Sequence, residues 1–229
     1  MQLTEVHSAI WTKLEEKYKK IINPPMTGTL DQVIFYFFLC HNSIPAARKI
    51  TKALSDSEEF GTWLEVRAAG PRELADFLKK NGISNSTSRA RYLIVLLDQV
   101  WEFFDDCSLD PPPNASSFEL EEFHQKKIAF LNAVRWDGWS LPYLKGLWGL
   151  TQRIPLDPHV DRILLRLGLA EENSSTRAKK EALQELRGKR EPSESYRLLL
   201  ALGQTTCLQS EPRCQKCPLK ELCKTGRDL

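Results

Sequence analysis

"CLQSEPRCQKCPLKELC", running from Cys207 to Cys223, decides how this chain is read. Four of the six cysteines fall in this stretch, spaced Cys207-x6-Cys214-x2-Cys217-x5-Cys223. Four thiolates this close on a turn-rich loop can surround one tetrahedral centre, and zinc and iron–sulfur clusters both accept four thiolates. Disulfides or free thiols are the plainer readings. The N-terminus "MQLTEVHSAIW" has no basic region followed by an apolar run, so no secretory signal is read. The longest apolar run, "VIFYFFLC" (Val33–Cys40), is too short to span a bilayer. A cytoplasmic setting follows, and there clustered cysteines mean metal more often than disulfides. Cys40 and Cys107 lie far from the cluster and read as small buried hydrophobes.

Working outward from the cysteines, helical periodicity dominates and strand signals are nearly absent. "SAIWTKLEEKYKKII" puts Ile10, Leu14, Tyr18 and Ile21 on one face, and Pro24–Pro25 ends it. "TLDQVIFYFFLCHN" reads as a buried helix, with a buried strand as the competing reading. Helices follow in "IPAARKITKALSD", in "GPRELADFLKKNG" from Pro71 to a stop at Gly82, and in "STSRARYLIVLLDQVWEFF". "SLDPPPNASS" is a loop, and "FELEEFHQKKIAFLNAV" is the next helix. "RWDGWSLPYLKGLWGLTQR" has a turn at its centre. "DPHVDRILLRLGL" ends at Gly168, and "STRAKKEALQELRGK" and "PSESYRLLLALGQ" lead into the cysteines. The expectation is an all-α chain of about ten helices, with no internal repeat.

With 229 residues, 41% apolar and 27% charged, the chain is of ordinary globular composition. Its net charge of +2 is unevenly placed. Residues 135–229 hold 17 Lys and Arg against 12 Asp and Glu, whereas residues 1–134 hold 15 against 18. A basic half beside an acidic one fits a polyanion on one face.

The second anchor is "PLDPHVDRILLRLGL" (Pro155–Leu169). Asp157 followed by Pro158 reads first as a helix N-cap with Pro at N1. A carboxylate fixed at a helix start can also stabilise positive charge building on a sugar, or orient an attacking water.

Together these residues resemble the endonuclease III family of the helix-hairpin-helix-Gly/Pro-Asp DNA glycosylase superfamily. The cysteine spacing carries the resemblance, as does a segment similar to Val-Asp-Thr-His followed by Arg, here Asp157, His159 and Arg162. Leu156 and Pro158 stand where the family has Val and Thr. What the resemblance implies is a 4Fe–4S cluster on Cys207, Cys214, Cys217 and Cys223, with zinc as the alternative. It implies a structural cluster whose loop faces DNA phosphates with Arg213, Lys216, Lys220 and Lys224. It makes Asp157 the catalytic carboxylate and places His159 at the site. Two lobes are implied: a helical barrel over residues 24–152 carrying the hairpin, and an iron–sulfur lobe of 1–23 with 153–229. The resemblance places the substrate pocket between them.

The family's hairpin, Leu-Pro-Gly-Val-Gly with a Lys two residues on, is altered here. The matching stretch is "AVRWDGWSL" (Ala133–Leu141), in which Gly138 remains and Trp139 or Ser140 takes the Lys position. Lys145 follows in the next helix, on another face. Schiff-base chemistry through a lysine is therefore not expected. Asp137 sits where a phosphate would, and Trp136, Trp139 and Trp148 are packing residues or stack on an extruded base. His41 falls on the family's gap-filling Gln, and Ile83 or Asn85 on its base-step wedge.

The resemblance implies a monomeric, nucleoid-associated base-excision enzyme without membrane contact. It would flip a damaged or mismatched base from duplex DNA and hydrolyse its N-glycosidic bond with water. A catalytically silent binder of DNA lesions or structures is the alternative. No additional C-terminal domain for reading oxidised guanine is expected.

Overall fold

The computed structural model describes residues 3–22, 28–39, 42–55, 59–134 and 140–228, and every regular element among them is helical. The chain forms two compact units, Met1–Asn23 with Gly138–Leu229, and Pro24–Asp137.

α1 (Leu3–Ile22) belongs to the first of these. Its apolar face buries Ile10, Trp11, Leu14 and Tyr18. The Ile21 side chain, expected on the same face, lies outside the described residues.

The unit Pro24–Asp137 is built around α2 (Thr29–Leu39), in which Leu30 and every residue from Val33 to Leu39 is buried. A run apolar on all sides belongs in a core, and its length decides for helix over strand. α3 (Ile44–Ser55) packs on it with Ile44, Ala47, Ile50 and Leu54.

α4 (Trp63–Lys80) starts earlier than the sequence reading placed it. Thr62 caps Glu65 N–H, and Gly61 N–H donates back to Glu65 Oε2 at 2.7 Å. Gly70, at φ 77° and ψ 173°, then kinks the helix, and Pro71 restarts it. The sequence reading recognised the segment after the kink and missed the one before.

α5 (Ser86–Phe104) lies along α4, tied by Arg67 Nε to Asp98 at 2.7 Å. α6 (Ser117–Ala133) opens with a Ser116/Glu119 capping box. Phe104 meets Phe123 and Phe130 at ring-centroid distances of 5.3 Å, which joins α5 to α6.

The other unit places α7 (Ser140–Leu147), α8 (Pro158–Leu167) and α1 around α10 (Pro192–Thr205), while α9 (Thr176–Arg187) packs on α8. α10 is buried at Ser195, Tyr196 and from Leu198 to Gly203. Each such leucine contributes about 1.5–3 kcal/mol by leaving water.

α1 closes this unit from the far end of the chain. Trp11 Nε1 donates to Leu186 O at 2.7 Å, Tyr18 OH meets Thr206 Oγ1 at 2.6 Å, and Arg190 pairs with Glu15. The packing of α7 on α10 puts residues 140–152 in this unit, whereas the sequence reading drew its boundary after 152.

Two short 3-10 turns, Cys214–Lys216 and Lys220–Leu222, precede α11 (Lys224–Arg227). No described helix is long and apolar enough to cross a membrane.

Candidate functional site

Cys207 follows directly on the C-cap of α10, and its N–H donates to Leu202 O at 2.7 Å. The chain folds back through Arg213 N–H to Thr206 O at 2.8 Å. The two 3-10 turns then present Cys214, Cys217 and Cys223. All four thiols line one small cavity, and none of them forms a disulfide.

Burial pushes the Cys217 and Cys223 thiols up, and the charges of the neighbouring cysteines act in the same direction. Four thiolates around this cavity repel one another, so a cationic centre between them relieves a real cost. The donor set therefore fits a thiolate-bound group. Among the described residues, no three His, Cys, Asp or Glu side chains converge closely enough to hold one metal ion.

α8 links this loop to the second anchor. At its C-terminal end, Arg166 donates to Cys207 Sγ at 3.3 Å and to Gln209 O at 2.8 Å. Arg162 Nε donates to Cys207 O at 2.9 Å, and Arg162 NH2 to Gly203 O at 3.0 Å.

At its N-terminal end stands Asp157, the N-cap, 3% exposed. Oδ1 accepts from Val160 N–H at 2.7 Å, and Oδ2 accepts a short hydrogen bond from Tyr196 OH of α10. Among the described residues no lysine or arginine forms an ion pair with Asp157. Its negative charge is thus held by neutral donors and not cancelled by a cation.

His159 is the second residue of α8, half-buried, with Nδ1 3.0 Å from Arg162 NH2. Burial pushes its imidazole down, Asp157 pulls it up, and Arg162 pushes it down again. α10 approaches closely here because position 203 has no side chain. A methyl group on Gly203 would sit 2.8 Å from His159 Cβ.

The remaining expected site residues are distributed unevenly. Arg213 and Lys216 are exposed on the cysteine loop, with Arg213 NH1 reaching Thr205 O at 3.4 Å. Lys220 is half-buried and donates to Gln215 Oε1 at 2.7 Å. Ser140 opens α7, and its side chain lies outside the description. His41, Gly138 and Trp139, with Arg135, Trp136 and Asp137, lie outside the described residues. Ile83 is 4% exposed, so it is a core residue and no wedge. Asn85 is exposed, in a left-handed conformation at φ 51°.

Lys145 lines an open cavity of about 1100 Å³ with Leu141, Arg153, Leu156, Arg177 and Lys180. Asp157 is not among its walls. On the extended segment before α8 successive side chains alternate, so Leu156 faces this cavity while Asp157 faces α10.

Tyr196, Gly203 and Arg166 were not singled out by the sequence. One signal was available: a tyrosine inside the apolar run of α10 needs a partner for its hydroxyl.

No family model matches the chain. Among curated proteins it is 39% identical to bovine (Bos taurus) endonuclease III-like protein 1, over 36% of this chain and 27% of that one. It is 24% identical to endonuclease III of Sulfolobus acidocaldarius, over 96% of both chains. It is 32% identical to endonuclease III of Bacillus subtilis, over 32% of this chain and 34% of that protein. The chain thus spans about a quarter to a third of the bovine and Bacillus proteins and nearly all of the Sulfolobus one.

Among solved structures it is similar to a trapped endonuclease III–DNA covalent intermediate, an estranged-adenine complex. There the TM-score is 0.64 at 18% identity, covering 97% of each chain. A thermostable thymine-DNA glycosylase gives a TM-score of 0.67 at 17% identity, covering 99% of this chain and 97% of that one. These structural likenesses carry the fold, and the curated relatives are named endonuclease III or endonuclease III-like protein 1. The chain is thus similar to endonuclease III proteins in sequence and shares the all-helical fold of the endonuclease III and thymine-DNA glycosylase structures.

Proposed function

We propose that this protein is a base-excision DNA glycosylase that hydrolyses the N-glycosidic bond of a damaged or mismatched base, with Asp157 as its essential carboxylate. One observation carries the reading: a carboxylate 3% exposed, held by a backbone N–H and a tyrosine O–H, with no lysine or arginine paired to it among the described residues. Burying an unpaired carboxylate costs stability, so its retention calls for a use. Positive charge developing on a sugar is such a use, because a fixed anion in a dry setting lowers that barrier. Relatives named endonuclease III, and fold neighbours that include a non-covalent endonuclease III–DNA complex, support DNA as the partner.

We further propose that the enzyme is monofunctional and uses water. Lys145 lies on α7 and lines a cavity whose walls do not include Asp157, which supports water over a lysine. His159, whose imidazole burial pushes down, adjoins the carboxylate.

Cys207, Cys214, Cys217 and Cys223 would hold a 4Fe–4S cluster, supported by the family and by the shared cavity. When bound, such a cluster supplies structural cross-linking of the loop. Arg213 and Lys216 stand exposed on that loop, available to phosphate, and contribute affinity without base choice. Cytoplasmic, nucleoid-associated action as a monomer belongs to the same proposal.

A second reading, a DNA-lesion binder without catalysis, draws on one observation: both oxygens of Asp157 already accept hydrogen bonds. Incubation with duplexes carrying uracil, a thymine mismatch, an oxidised pyrimidine or an alkylated purine separates the two. Strand cleavage that needs alkali marks a monofunctional enzyme. Borohydride trapping of protein on DNA refutes the water nucleophile. Tight binding with no excision of any duplex establishes the silent binder.

A further inference from the structure

We propose that Tyr196 is a positioning residue for the Asp157 carboxylate, and that its hydroxyl, more than the helix cap, sets the orientation in which that carboxylate works. The inference rests on the reading of Asp157 as the essential carboxylate. A carboxylate bonded only to the first turn of its own helix keeps freedom about its side-chain torsions. Val160 N–H takes Oδ1 and leaves Oδ2 to be placed by something else. Tyr196 OH supplies that second point from a different helix.

The direction of the bond is not in doubt chemically, because a carboxylate only accepts and the phenol must donate. A donor to an anion forms one of the stronger hydrogen bonds, and its neutrality leaves the carboxylate's charge intact. A lysine or arginine at the same place would fix the group equally well and cancel the field that the chemistry needs.

Tyr196 is itself held firmly. It is 0% exposed, midway along the buried face of α10. Its ring meets that of Tyr143 on α7 at a centroid distance of 6.1 Å and 52° between planes. α7 packs on α10 along the same face, with Gly146 against Ser193. The carboxylate is therefore referenced to α7 as well as to α10. A phenylalanine would fill the same space in this apolar helix, so the hydroxyl is the part that needs explaining.

Tyr196→Phe removes that oxygen and little else. With whichever duplex of the panel wild-type protein excises fastest, the single-turnover rate should fall about 10- to 100-fold, the worth of one charge-assisted hydrogen bond. The thermal midpoint should fall by a few degrees, because a buried acceptor loses its donor, while duplex affinity stays within about twofold, a split between rate and binding that a purely structural role does not produce. Wild-type excision rates in Tyr196→Phe beside an inactive Asp157→Asn overturn the positioning role and leave the proposed function standing. Full activity in Asp157→Asn overturns the catalytic reading instead.

A readout independent of turnover is the 13C resonance of the Asp157 carboxyl carbon, which should move in Tyr196→Phe. An unmoved resonance overturns the proposal. Fluorotyrosine incorporated at 196 keeps the ring and changes only the acidity of the hydroxyl. It should move the resonance without altering the fold, and no movement overturns the proposal in that case too.

Discussion

At the residue scale, Asp157 serves two masters: it caps α8, and it is a buried carboxylate that no lysine or arginine pairs with among the described residues. Asparagine caps a helix about as well as aspartate, and its amide oxygen still accepts from an N–H or O–H. Asp157→Asn should therefore abolish excision while leaving the thermal midpoint equal or higher, since the desolvated charge is gone. Excision assays beside a melting curve check both halves. Gly203 shows the opposite kind of constraint, a position where any Cβ meets His159 at 2.8 Å. Gly203→Ala should cost about 1–3 kcal/mol as α8 and α10 are forced apart, read from denaturant midpoints. His159 adds a pH dependence. Burial holds its folded-state pKa below the ordinary value, so the unfolded chain binds the proton first as pH falls. Stability is full above roughly pH 6.5 and is lost as pH drops below it, until the folded-state pKa is passed. His159→Gln should flatten that loss in melting curves taken across the acid range.

At the element scale, α8 and α10 carry the site between them. α8 has Asp157 at its start, and Arg162 and Arg166 reach from its later turns to Cys207 and the residues around it. α10 contributes Tyr196 and ends at Thr205, with Thr206 as its C-cap directly before Cys207. The cysteine loop and the carboxylate are thus joined through two helices whose lengths fix their spacing. Arg162→Met should leave the Gly203 and Cys207 carbonyls without their donor and cost about 1–3 kcal/mol, with cluster content falling alongside. Iron assay and thermal melting on the same preparation check it. The capping box of α6 offers a control away from the site: Ser116→Ala should cost about 1 kcal/mol and leave DNA binding unchanged.

At the scale of the whole molecule, the C-terminal loop has few apolar anchors of its own. Leu219 is buried, while Cys214, Cys217 and Cys223 are half-exposed on short turns. A bound cluster would supply the missing constraint, so Cys214→Ser should give colourless protein whose C-terminal segment is cleaved by limited proteolysis ahead of the rest. Absorption spectra and mass mapping of the fragments read the result. Charge acts over the same surface. Removing Arg213 or Lys216 should weaken binding to all duplexes alike and lower the salt slope by about 1 per residue removed.

The sequence by itself determined the helical class, most helix positions and the two anchors, because these follow from local quantities. Apolar periodicity, the cysteine spacing and the Asp157–Pro158 pair are written within a few residues of each other. It missed the first half of α4, where Gly70 and Pro71 look like a start but mark a kink. It also offered Ile83 as a wedge, whereas its side chain is in the core. Tertiary structure alone decided what surrounds Asp157. Tyr196 lies 39 residues away in sequence and reaches it because α10 packs against α8 where Gly203 leaves room. A contact of that kind depends on how two helices meet, and no local pattern encodes it.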